Sequence, residues 1–263
     1  MNKTAFYNQK ASRNYLVEIS KIARSAGELL RDNFALDPGI ELSEFKDIKT
    51  RADIAANEFI VSSLQKISSY QIVTEEDKLS HKYIQKNESP VWFVDPLDGT
   101  MNFVRSFPVY CVSIALWEVN KPLIGVIYDI SRDELFSGIH GMGASKNDHL
   151  ISVSGISTKS NAIMATGFPS GRKYDTKSLL TFVEKIQNYK KIRMIGSAAL
   201  SIAQVASGSF DVYCEEDIYI WDVAAGLALV EAAGGKTFHS MPDELGRLNA
   251  VAWNGKFSIK DLI

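Results

Sequence analysis

The chain has 263 residues, 46% of them hydrophobic, with a formal net charge of −2 and a pI near 6.1. That is enough apolar sequence for one large core or two halves sharing a sheet. Nothing in the near-neutral balance suggests a polyanion-binding surface, so no nucleic-acid partner is expected. The two cysteines, Cys111 and Cys214, form no Cys-x-x-Cys pair, so buried, reduced thiols are expected and a thiolate zinc site is not. The N-terminal residues lack the apolar core of a signal peptide and no run approaches a membrane span, so a cytoplasmic location without membrane contact is expected.

Apolar residues recur at helical spacing from Tyr15 to Phe34 (Leu16, Ile19, Ile22, Ala23, Ala26, Leu29, Leu30), and Pro38-Gly39 marks the stop. A second helix is predicted from Asp53 to Ile67. Gln71–Thr74 reads as a short strand delivering Glu75-Glu76-Asp77, and the polar stretch from Lys78 to Pro90 as a loop. Val91–Val94 is an apolar strand that runs into a turn. Strands are then predicted at Val109–Trp117, Leu123–Ile130 and Leu135–Gly138. Gly141–Ala144 reads as a turn dividing an N-terminal half, 1–145, from a C-terminal half, 146–263, the two forming one compact unit. The second half is predicted to hold strands at Leu150–Val153, Ala162–Thr166, Phe210–Cys214 and Ala250–Trp253. Its helices are predicted at Asp175–Ile186, Ser197–Ala206 and Trp221–Ala233, the last ended by Gly234-Gly235, with a helical turn at Ser258–Ile263. Strands and helices mix without strict alternation, which predicts layered sheets and helices in an α+β arrangement and not a TIM barrel.

The densest chemistry lies in Asp95-Pro96-Leu97-Asp98-Gly99-Thr100. Two carboxylates leave a strand on a Pro-stiffened turn, and Gly99-Thr100 opens a short helix. Carboxylate oxygens suit Mg²⁺, which takes one or two protein carboxylates and completes its shell with water and phosphate. Free N–H groups at a helix start suit the phosphate itself. Glu75-Glu76-Asp77, Glu215-Glu216-Asp217, Asp53 and Asp222 are acids at other element ends. Each alone reads as surface charge or a helix cap. Converging on one rim, Asp95, Asp98, Glu75 and Asp222 would need cations to offset their repulsion and would form a cage for two or three Mg²⁺ ions. The four histidines, His81, His140, His149 and His239, are scattered, which argues against a phosphohistidine route.

Trp92-Phe93-Val94-Asp95-Pro96-Leu97-Asp98-Gly99-Thr100-Met101-Asn102-Phe103 resembles the first signature of the inositol monophosphatase family. Trp221-Asp222-Val223-Ala224-Ala225-Gly226, followed by Glu231-Ala232-Ala233-Gly234-Gly235, resembles the second. The order of Asp53, Glu75-Glu76, the Asp95 turn, Gly196-Ser197-Ala198, Glu215 and Asp222 is similar too, so the likeness runs through nearly the whole chain. It implies a layered α-β-α-β-α sandwich and Mg²⁺-dependent hydrolysis of a phosphate monoester. Carried over by position, Glu75, Asp95 and the Leu97 carbonyl hold one metal, Asp95, Asp98 and Asp222 a second, and Glu75 with Glu76 lies near a weaker third. Thr100, backed by Asp53, orients the attacking water, and Glu75 accepts its proton. Asp98, Gly99, Thr100, Ala198, Glu215 and Asp222 meet the substrate. The resemblance also implies a homodimer and inhibition by lithium.

Four residues depart from the pattern or stand apart from it. Met101 stands where threonine is frequent, Arg105 replaces a residue that is often histidine, and Lys49 is unusual within Asp47–Asp53. Lys46 is a candidate loop lysine near the third metal. Met101-Asn102-Phe103 resembles the inositol-phosphatase-type members more than the nucleotidases, and Glu215 favours a polyol over a nucleotide, without separating inositol phosphate from histidinol phosphate or a sugar phosphate; the expected substrate is myo-inositol 1-phosphate or a similar small polyol phosphate. Histidinol phosphate, fructose 1,6-bisphosphate and a nucleotide 3′-phosphate remain alternatives, as does a non-catalytic regulatory role. No metal carboxylate and no Thr100 is missing, which weighs against that last reading.

Overall fold

The computed structural model describes residues 9–34, 37–43, 48–77, 89–118, 121–168 and 175–262. Two helices open the chain, α1 (Gln9–Phe34) and α2 (Arg51–Ile67), with the hairpin β1 (Ile40–Ser43) and β2 (Ile48–Thr50) between them. A seven-stranded sheet follows: β3 (Gln71–Thr74), β4 (Val91–Asp98), β5 (Cys111–Glu118), β6 (Lys121–Asp129), β7 (Glu134–Ile139), β8 (Gly143–Lys146) and β9 (His149–Ile151), with the short helix α3 (Thr100–Val104) after β4. Only β3 and β4 are parallel; every other neighbouring pair is antiparallel.

The second sheet has the order β11 (Lys191–Arg193), β10 (Ile163–Ala165), β12 (Val212–Tyr219), β14 (Arg247–Trp253), β13 (Lys236–His239). The helices α4 (Thr176–Ile186), α5 (Ala198–Ala206) and α6 (Ile220–Ala232) are interleaved with these strands in the chain.

Alternation along the strands explains the layers. In β4, Trp92 and Val94 join Val112, Ile114 and Leu116 of β5 on the face covered by α1 and α2. Val91 and Phe93 join Ala115 and Trp117 on the face covered by α5 and α6. Helix α6 is apolar on all sides because both of its faces are covered: Val223, Ala224, Leu227 and Val230 lie between the two sheets with Tyr213, Ala250 and Ala252 of the second sheet. Gly226 permits this packing, since a Cβ there would lie 2.6 Å from Ile202 Cβ of α5. The outer face of the second sheet, with Val212, Cys214 and Trp253, carries the last layer, to which Ile186 of α4 and Leu262 contribute. The result is the α-β-α-β-α sandwich implied by the resemblance.

Several predicted bounds shift. Helix α1 begins at Gln9 and β4 continues through Asp98. Position 145/146 lies inside β8, and β9 belongs to the first sheet, so the partition between sheets falls after Ile151. Short strands β11 and β13 were not predicted, and the C-terminal turn is a 3₁₀ turn at Ile259–Asp261. Most of the predicted loop at Lys78–Pro90, with Lys46 and Asp47, lies outside the described residues. Both cysteines are buried and free, and no described helix is long and apolar enough to cross a membrane.

Candidate active site

The first two acids owe their shared direction to a defect in the ladder. Residues three apart in a regular strand point to opposite faces. In β4, Asp95 pairs with Ser113 and Asp98 with Cys111, so three steps of β4 match two of β5. This bulge brings both carboxylates to the face covered by α5 and α6. Pro96, which has no N–H to give the ladder, fits inside the irregularity. Gly99 then turns the chain at φ 92°, and a Cβ there would meet Val109 O at 2.8 Å, so glycine is required before α3.

Asp95 and Asp98 are buried, and each is held by donors. Leu97 N donates to Asp95 Oδ1 at 3.0 Å. Asp98 Oδ2 accepts from Ser197 Oγ at 2.6 Å and Ala199 N at 2.8 Å, at the start of α5. Asp222 lies in the first turn of α6, whose position is held by Trp117 Nε1 donating to Ala224 O at 3.1 Å. Burial raises the Asp95 carboxyl well above its ordinary value, and the charges of Glu75, Asp98 and Asp222 add to the rise. Asp222 is raised by burial and then by Glu75, Asp98 and Glu215. Asp98 is pushed up to about 6 by burial, which outweighs its Ser197 and backbone bonds. Acids from four separate segments therefore act on one another across a single pit.

A second constellation adjoins it. Thr100 Oγ1 lies 3.1 Å from Asp53 Oδ1 and 3.0 Å from Leu97 O, and its one proton can go to either acceptor at a time. Asp53 Oδ2 accepts from Thr50 N at 2.7 Å and Thr50 Oγ1 at 2.5 Å, in a capping box that opens α2. Burial lifts Asp53 to about 6. Asp53 is thus a cap, its default reading, and also the partner of Thr100.

On the far side, a cavity of about 210 Å³ is lined by Asp98, Gly196, Ala198, Glu215 and Asp222, with Phe168 at its edge. Glu215 is buried and accepts from Tyr213 Oη at 2.8 Å, and burial pushes it up to about 7. It does not follow the strand, as predicted, but sits within β12 beside a second bulge, where Glu215 pairs with Ala250 and Ile218 with Leu248. Gly167 makes room for it: a Cβ there would lie 2.6 Å from Glu215 Oε2.

Glu76 is ion-paired with Lys49. Met101 is 53% exposed and Trp117 is core. Sequence reasoning missed the positioning roles of Ser197, Tyr213 and Asn102. Asn102 Nδ2 donates to Val109 O at 2.8 Å and Ile195 O at 2.9 Å, tying α3 to the turn before α5. Its place inside the first signature was the available signal.

The donor set fits a hard, oxygen-seeking cation. The buried acids repel one another, and positive charge is what relieves that repulsion. Among the described residues, no three His, Cys, Asp or Glu side chains close around a point as a ready-made ligand shell.

A family model described as the inositol monophosphatase family matches residues 13–254. The chain belongs to the inositol monophosphatase family. It is accordingly a hydrolase of the phosphatase class. A tomato relative named inositol monophosphatase 3 is 37% identical over 222 residues, covering 82% of each chain. A relative from Xylella fastidiosa named Nus factor SuhB is 39% identical over 231 residues, covering 86% of this chain and 81% of that one. The crystal structure of extragenic suppressor protein suhB from Bartonella henselae has TM-score 0.82 at 32% identity, covering 95% and 97% of the two chains.

Proposed function

We propose that this chain is a Mg²⁺-dependent phosphomonoesterase acting on myo-inositol 1-phosphate or a similar small polyol phosphate. The observation that carries the reading is the convergence of Glu75, Asp95, Asp98 and Asp222 on one pit beside the Thr100–Asp53 pair. Glu75, Asp95 and the Leu97 carbonyl are the assigned ligands of one ion. Asp95, Asp98 and Asp222 are those of another, with Glu75 and Glu76 flanking a weaker position. When bound, Mg²⁺ supplies charge against the phosphoryl oxygens and water activation at neutral pH.

The chain's own residues do the rest. Thr100 Oγ1 accepts from the attacking water while its proton rests on Asp53, which fixes the water's direction. Glu75 takes the proton that the water gives up. Backbone N–H groups at Gly99 and Thr100 meet phosphate oxygens at the helix start. Glu215 and the Ala198 backbone meet hydroxyls of the alcohol part in the cavity they line. Burial of Glu215 at the alcohol end favours a neutral, hydroxyl-rich group over a second phosphate.

Phosphate release from a panel of phosphomonoesters tests this. The panel comprises myo-inositol 1-phosphate, histidinol phosphate, fructose 1,6-bisphosphate and a nucleotide 3′-phosphate. Turnover should require Mg²⁺, favour the polyol ester, and collapse in Asp95→Asn. Normal turnover in Asp95→Asn defeats the assignment. The family's dimeric state and lithium inhibition belong to the same proposal, checked by light scattering and a Li⁺ titration, as does a cytoplasmic location.

A further inference from the structure

Lys49 lies in β2, one residue before the Thr50 cap of α2, with its backbone held opposite Leu42 of β1. A cation just ahead of a helix N-terminus opposes the helix dipole, so something must hold it there. Its Nζ is ion-paired with Glu76, whose side chain is only 9% exposed. The charges of Asp53 and Glu75 act on the same ammonium. Lys49 therefore faces three carboxylates, one of which backs Thr100 and one of which belongs to the pit.

We propose that Lys49 is a built-in counter-cation that withdraws the Glu76 edge of the acidic pit from divalent-ion binding. Two consequences follow from charge alone. A divalent ion approaching Glu76 meets a fixed ammonium already on that carboxylate, and must displace it or bear the repulsion. The protein then loads fewer divalent ions than its acid count would draw. Removing the ammonium leaves Glu75, Glu76 and Asp53 without their shared cation and opens the edge. The inference rests on the reading that the pit binds divalent ions.

The test is Mn²⁺ binding to the metal-free full chain, with free Mn²⁺ followed by electron paramagnetic resonance. Lys49→Gln and Lys49→Met should bind one more Mn²⁺ per chain than wild type, or bind the weakest Mn²⁺ about tenfold more tightly. Lys49→Arg, which keeps the charge, should follow the wild-type isotherm. Glu76→Gln in the wild-type background should leave bound the ions assigned to Glu75, Asp95, Asp98 and Asp222, because Glu76 belongs to neither of those two sites and is ion-paired with Lys49. The same change in Lys49→Gln should remove the extra ion. Circular dichroism of each variant checks that it is folded. Superimposable isotherms for wild type, Lys49→Gln and Lys49→Met overturn the inference, as does a large loss of Mn²⁺ binding in the Glu76→Gln single variant. If no form of the protein binds Mn²⁺, the metal reading itself fails and takes this inference with it.

Discussion

Replacing Ser197 by alanine removes a hydroxyl that bonds Asp98 and Leu200 and also touches Cys111 Sγ. Ser197 Oγ donates to Asp98 Oδ2 at 2.6 Å and accepts from Leu200 N at 3.2 Å as the N-cap of α5. Loss of a serine cap costs about 1 kcal/mol. A hydrogen bond to an ionised group contributes about 1.5–3 kcal/mol. Ala199 N still holds Asp98 at 2.8 Å, which keeps the second loss near the low end of its range. The expected destabilisation is therefore about 2–3 kcal/mol where Asp98 is ionised. The bond to Ser197 lowers the Asp98 pKa, yet burial leaves it at about 6. Without Ser197 it rises further, so the second loss appears only above that pH, where wild-type Asp98 is ionised. At about pH 5 the cap loss should dominate, with a cost near 1 kcal/mol. Urea unfolding of EDTA-treated protein at about pH 5 and about pH 8, with m-values compared, measures both losses. Equal losses at the two pH values would refute the assignment of the Ser197 hydroxyl to an ionised Asp98.

Three further outcomes are expected. Burial raises Asp53 and Asp98 to about 6 and Glu215 to about 7 in the folded protein, from ordinary values of 3.8 and 4.5. The folded state thus binds protons that the unfolded chain has released, and metal-free stability from these groups falls as pH rises from about 4 to about 7. Mg²⁺ should therefore raise Tm more at the upper end of that window than at the lower, as read by scanning fluorimetry; a pH-independent gain contradicts this. Thr100→Val keeps the shape but loses the hydroxyl shared by Asp53 and Leu97. We expect kcat to fall by about 10²–10⁴ with little change in Tm, and a kcat within tenfold of wild type removes Thr100 from the reaction. Gly167→Ala puts a Cβ 2.6–2.9 Å from the Glu215 carboxyl and should displace it. KM for the polyol ester should rise about tenfold with kcat nearly kept, a loss of about 1.4 kcal/mol in binding; an unchanged KM means Glu215 does not meet the alcohol.

Much of the fold was legible because long elements carry strong periodicity. Helices α1 and α2 show it, and the apolar run of α6 marks a helix covered on both sides. The short strands β8, β11 and β13, with three or four residues each, were missed or read as turns. Segments that short carry too few alternations to register, and neighbouring strands create them. Glu215 was misplaced for a related reason. A run of three acids reads as a loop, while its β12 backbone is held in the ladder with β14 across a bulge.

The acidic residue types, their order, and the two signatures around Asp95 and Asp222 were legible along the chain alone. So was the chemistry of hard oxygen donors, because it depends on side-chain identity. Which way those acids face is set by register and packing. The bulge in β4 turns Asp95 and Asp98 to one side, α6 packed between two sheets brings Asp222 to them, and Lys49 is held on Glu76. Direction and proximity arise from register and packing between segments far apart in the chain, and local spacing carries no information about either.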